Sequence, residues 1–109
     1  MIANRPAIYI YVKNADSQLL REVCSGIEEE GVFFEIIEKN ENELNKLAYD
    51  AANESMLGSG IGINGCDVAF CIRGMKLGKN VEQYHSPTAE ESRKIGTNSA
   101  RSVKKQFFK

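Results

Sequence analysis

Apolar residues along the chain alternate in some stretches and recur at helical spacing in others. Ala7-Ile-Tyr-Ile-Tyr-Val12 is β-branched and aromatic throughout and predicts a strand, with Pro6 at its allowed start. Asn14, Asp16 and Ser17 then offer oxygens for a helix N-cap. Leu19, Leu20, Val23, Cys24 and Ile27 follow at helical spacing, and Gly31 supplies a C-cap. Val32-Phe-Phe-Glu-Ile-Ile37 predicts a second strand. A polar loop around Asn40 and Asn42 leads to a second helix with Leu44, Leu47, Ala48, Ala51 and Ala52 on one face, broken at Gly58.

The second half changes period. Gly60-Ile-Gly-Ile-Asn64 and Asp67-Val-Ala-Phe-Cys-Ile72 predict two strands joined at Asn64-Gly65. Asn-Gly favours a type I′ turn, with positive φ at both central positions, so the fourth strand is expected antiparallel to the third. Asn80–His85 is a shorter fifth strand. Ser86-Pro87 offers an N-cap before a first-turn proline, and Thr88-x-x-Glu91 offers a capping box instead. The last helix is expected from Thr88 to Lys105, with Ile95, Ala100 and Val103 inward.

The order β-α-β-α-β-β-β-α contains two βα units. Right-handed crossovers then make the first strands parallel and put helices on both faces. The expected fold class is α/β: a three-layer α/β/α sandwich over a mixed five-stranded sheet, in one domain spanning residues 1–109.

Composition narrows the function classes. A net charge of −1 gives no bulk attraction for nucleic acid, and no apolar run approaches the roughly 20 residues of a membrane span. The start MIANRPAIYIYVK lacks the ordered basic, apolar and small-residue regions of a secretory signal. The expectation is a cytoplasmic protein. The small net charge hides an asymmetry: residues 16–54 sum to −8 and residues 86–109 to +4. Two solvated faces or two partner surfaces would both produce it.

Cysteine chemistry offers little. Cys24, Cys66 and Cys71 are odd in number and irregularly spaced, which suits reduced thiols rather than a disulfide framework. His85 is the only histidine, so a thiol nucleophile with its base and a four-ligand zinc site are both poorly supplied. No catalytic residue is assigned. Gly60-Ile-Gly62-Ile-Asn-Gly65 spells G-x-G-x-x-G, yet it sits in a strand and hairpin with no helix N-terminus to hold a pyrophosphate. Glycines there point instead to close approach of a helix or a partner.

Glu28-Glu29-Glu30 stands at the end of the first helix, where the macrodipole prefers cations. Three adjacent carboxylates there are either a solvated surface or a site for a metal or a basic partner. Carboxylates with water suit Mg²⁺, which is often shared with nucleotide phosphates. The chain has no P-loop, so such a metal would be shared with another chain.

Leu20-Arg-Glu-Val-Cys-Ser-Gly-Ile-Glu-Glu-Glu-Gly31-Val-Phe-Phe34 resembles the LREVxxGIEEEGVP(F/Y) segment of a known family. That family is the small subunit of coenzyme B12-dependent diol/glycerol dehydratase reactivases. Ser55-Met-Leu-Gly-Ser-Gly-Ile-Gly-Ile-Asn64 is similar to its SPLxxGIGI(D/C) strand. Ile95-Gly-Thr-Asn-Ser-Ala-Arg-Ser-Val-Lys104 is similar to its xxGxNAARLVKG helix. The order is the same over nearly the whole chain. Asn64 stands where an acid is common, Ser99 replaces an alanine or asparagine, and residues 66–84 match poorly.

The resemblance implies strand order 2-1-3-4-5 with strand 4 antiparallel, as in anticodon-binding-type domains and the dehydratase medium subunit. It implies a non-catalytic subunit that pairs with a large ATPase subunit, in a 2:2 assembly. Together the two would release damaged cobalamin from an inactivated dehydratase, the small subunit changing places with the dehydratase medium subunit and so meeting the dehydratase large subunit. Mg²⁺ and ATP or ADP would belong to the large subunit, with Glu29 reaching the metal and Glu28–Glu30 at the interface. The setting would be the cytoplasm or a bacterial microcompartment. A medium-subunit relative or stand-alone binding domain is the alternative, although the chain is short for a full medium subunit. An RNA-binding role for Arg93, Lys94, Arg101, Lys104 and Lys105 is a further alternative on residues alone.

Overall fold

Alternation governs the first strand. Along Ile8–Lys13 (β1), Ile8, Ile10 and Val12 point to one face of the sheet, and Tyr9 and Tyr11 to the other. The structure is a computed structural model that describes residues 5–107, with side chains described as far as Lys104. Ser17–Glu29 (α1) begins on Asp16, whose carboxylate accepts from the Leu19 N–H at 3.0 Å. It ends at Gly31, whose φ of +73° only glycine adopts without strain.

Phe34–Glu38 (β2), Leu44–Glu54 (α2), Ser59–Asn64 (β3), Asp67–Ile72 (β4), Glu82–His85 (β5) and Ala89–Phe107 (α3) complete the described elements. The five-stranded sheet has the order β2-β1-β3-β4-β5. β1 runs parallel to β2 and β3, β4 is antiparallel to β3, and β5 is antiparallel to β4. This is the mixed α/β sheet that the pattern of elements predicts.

Four local readings are settled or revised. The β3–β4 turn has Gly65 and Cys66 at its centre, because Asn64 already pairs with Asp67. Positive φ falls on Gly65 alone, the pattern of a type II′ turn rather than I′. α3 is capped by Thr88 and not Ser86. The Glu91 N–H donates to Thr88 Oγ1 and the Thr88 N–H donates to Glu91 Oε1, both at 3.0 Å, a complete capping box. The helix runs to Phe107, beyond the expected Lys105, since no Gly or Pro follows Lys104 to stop it. β5 is shorter than expected, starting at Glu82, and the Asn80 side chain just before it is bonded to Asn45 and Gln83.

α1 and α3 cover one face, where Val23, Ile27 and Ile95 lock onto Ile8, Ile10, Ile61, Ile63 and Phe70. α2 covers the other with Leu47, Ala48, Ala51 and Ala52. The glycines of the G-x-G string explain how close α2 comes. A Cβ on Gly60 would sit 2.1 Å from the Ala52 nitrogen, and one on Gly62 would sit 2.6 Å from that of Ala48. The helix backbone therefore lies directly on β3, and the close approach is made within the chain.

The same device joins α1 to α3. A Cβ on Gly26 would meet the Arg93 carbonyl oxygen at 2.2 Å, and one on Gly96 would meet that of Val23 at 2.1 Å. Alanine favours a helix over glycine by roughly 0.8–1.0 kcal/mol, but here it strikes backbone that has nowhere to go. Gly96→Ala and Gly26→Ala are each expected to lower unfolding free energy by about 1–3 kcal/mol. The double variant should cost less than their sum, because the seam is forced apart once. Urea denaturation of the three variants checks this, and strict additivity would contradict a shared seam.

Candidate functional site

The α1–α3 seam decides the surroundings of the acidic run. Glu22 faces Arg93, and Glu30 faces Arg101 and Lys104, so the two helices run in the same direction. Glu22 Oε1 accepts from Arg93 Nε at 3.1 Å and Nη2 at 2.8 Å. Glu30 Oε1 accepts from Lys104 Nζ at 2.7 Å, and Oε2 accepts from Arg101 Nε at 3.2 Å. Lys104 Nζ also reaches the Glu30 backbone carbonyl at 3.2 Å. A cation does stand at the C-terminus of α1, as the macrodipole prefers, but α3 supplies it.

The three glutamates are therefore not equivalent. The Glu30 side chain is 15% exposed and doubly paired. Glu29 is 57% exposed, with Arg93 Nη1 at 3.6 Å, an ion pair too long for a hydrogen bond. Glu28 is exposed and has no ion pair among the described residues. Glu28 and Glu29 thus present hard oxygen ligands to solvent, while Glu30 is structural. No cluster of three or more metal-ligating side chains occurs among the described residues. A hard cation at Glu29 would take its remaining ligands from water and another chain.

The charge asymmetry also resolves. Glu22, Glu29 and Glu30 pair with bases of α3 across the seam, so this part of the acidic segment and the basic helix share one surface, while the acids of β2 and α2 lie away from it. Arg93, Arg101 and Lys104 are engaged with carboxylates, which removes most of the cationic stripe an RNA-binding helix would need. Lys94 stays exposed, and the side chain of Lys105 lies outside the described residues.

The thiols and the histidine assemble no nucleophile. Burial pushes the Cys24 thiol up to about 11, with Glu28 adding to the shift, and burial also raises Cys71. Cys66 is exposed at the hairpin tip. His85 pairs through Nδ1 with Asp67, and no hydrogen bond joins it to a cysteine among the described residues. On the α2 face Tyr11 donates to Glu54, and burial followed by that bond raises its pKa.

The model of the dehydratase medium subunit family matches residues 5–109. The chain belongs to that family. Among solved structures it is similar to a chain in the "Structure of diol dehydratase-reactivating factor complexed with ADP and Mg2+", at 30% identity and a TM-score of 0.87. That match covers 94% of this chain and 95% of the other. It is also similar to a "Glycerol dehydratase reactivase" chain at 23% identity and a TM-score of 0.86, covering 92% and 93%, a likeness of fold. No curated protein matches. The structural relationship to reactivating factors agrees with the resemblance carried by the GIEEEG segment and the 95–104 helix.

Sequence reasoning placed the acidic run correctly at the end of α1 but missed its counter-cations. The signal was Gly26 and Gly96, which mark where two helices touch and so which charges meet. The Lys104 hydrogen bond, followed by Arg101, holds the Glu30 carboxyl below its ordinary value, against the opposing loss of water. A lowered carboxyl pKa adds stability above the unfolded value of about 4.3, and that stability is lost as pH falls through the folded value. Glu30→Gln should therefore lose less stability than the wild type between about pH 7 and about pH 3. Lys104→Met should move the Glu30 titration back toward the ordinary range, read by carboxyl NMR. Identical acid-side slopes would remove the pairing.

Proposed function

We propose that this chain is the small, non-catalytic subunit of a reactivating factor for a coenzyme B12-dependent diol or glycerol dehydratase. The observation that carries this is the end-to-end match, at 30% identity, with a chain of a reactivating factor that holds ADP and Mg²⁺. In this reading a large partner subunit binds and hydrolyses ATP, and the two form a 2:2 assembly in the cytoplasm or a microcompartment. Membership of the medium subunit family supports a mechanism by exchange. A chain with the medium subunit's fold can take that subunit's place against the dehydratase large subunit, opening a path for damaged cobalamin.

Glu29 is the residue offered to Mg²⁺ in this reading. Its exposure and its single long ion pair leave the carboxylate free to turn toward a partner, which Glu30 is not. Glu28 and Glu30 flank it at the interface, Glu30 by anchoring the end of α1 on α3. Among the described residues no three such ligands gather at Glu29, which supports a shared metal.

The family description favours one second reading, a medium-subunit relative that stays bound in a dehydratase. Association separates the two, since the first reading predicts a stable complex with the nucleotide-binding large subunit. Reactivation of an inactivated dehydratase by that subunit with ATP, Mg²⁺ and fresh coenzyme should depend on this chain. Glu29→Gln should weaken the Mg²⁺- and nucleotide-dependent assembly by roughly tenfold or more, the scale of losing one charge-assisted contact. Reactivation without the chain rejects the role, and unchanged assembly of the variant rejects the Glu29 assignment.

A further inference from the structure

The chain beyond Glu30 enters an apolar groove. Pro6, Val32, Phe33, Leu57 and Val103 line it, at the end of the sheet where β1 and β2 begin. Phe33 is 54% exposed, and so is Met56 beside Leu57, an unusual amount of large apolar surface for one end of a small domain.

The rim is cationic. The Arg5 guanidinium lies over the Phe33 ring, 3.9 Å from its centroid. Arg73 donates to the Ser55 carbonyl and lies against Gly58, on the loop that carries Leu57. Lys104 closes a third side. The one carboxylate in the lining, Glu30, is already taken by Arg101 and Lys104. Arg5 and Arg73 are exposed and form no ion pair among the described residues. A second copy fits this rim poorly, since a two-fold contact would set the same cations against themselves.

We propose that the groove docks a segment of the larger partner subunit that inserts an apolar side chain beside Phe33 and presents carboxylates to Arg5 and Arg73. This rests on the reading that the chain works bound to that subunit, and it extends the contact from Glu28–Glu29 along the chain to the groove. Apolar anchors in a central pocket carry most interface energy, while rim charges steer encounter and set salt dependence.

The test is equilibrium binding of the full-length chain to the large subunit with Mg²⁺ and ADP. Phe33→Ala and Arg5→Glu should each weaken binding about tenfold or more while circular dichroism shows the fold retained. The Arg5→Glu deficit should shrink as salt rises. Wild-type affinity in both variants, with Glu29→Gln impaired, overturns the groove and leaves the subunit role standing. Absence of binding by the wild type overturns both. Self-association of the wild type that Phe33→Ala abolishes would make the occupant a second copy and overturn the proposal.

Discussion

The backbone contact between α1 and α3 at Gly26 and Gly96 is the constraint from which the candidate site follows. With side chains absent at both positions, each helix approaches the other's carbonyl oxygens, and no rotation of either preserves the fit. Register along the seam is then set by sterics. Glu22 must meet Arg93 and Glu30 must meet Arg101 and Lys104, because the glycine positions hold those side chains opposite one another. The α1–β2 connection that carries Val32 and Phe33 inherits its place from the same contact.

An acidic run at a helix C-terminus looks like a local error. The fold corrects it across the tertiary structure: Lys104 supplies both a charge for the Glu30 carboxylate and a hydrogen bond for its backbone carbonyl. Within the run, only Glu28 and Glu29 then remain without a strong structural partner. Separating the anchored glutamate from the two available ones narrows the part of the acidic run that can meet another molecule.

Much of the fold was legible because period and turn chemistry agreed. Ile8, Ile10 and Val12 alternate against the tyrosines, Leu19, Val23 and Ile27 follow a helical stripe, and Gly65 marks a hairpin whichever primed turn it makes. The turn type was not legible, because Asn64 can either lead the turn or end the strand, and its pairing with Asp67 decides. Ser86 and Thr88 posed the same ambiguity for α3, settled by the reciprocal bonds that only Thr88 and Glu91 make. The site was half legible. Glu28–Glu30 stands out in the chain, whereas its partners lie some 70 residues away at Arg93, Arg101 and Lys104, and charge counting by segment does not reveal who faces whom.

The seam between α1 and α3 combines two interactions that respond to solution conditions differently. Its centre is dry backbone at van der Waals contact, which dissolved ions do not reach. Its margin is a row of partly exposed ion pairs, which lose strength as the screening length falls from about 10 Å at 0.1 M salt toward about 3 Å at 1 M. Rising ionic strength therefore loosens the carboxylates without separating the helices. The acidic end of α1 behaves as an adjustable fringe on a fixed hinge-free joint, so its availability to a partner can change while the shape of the domain does not.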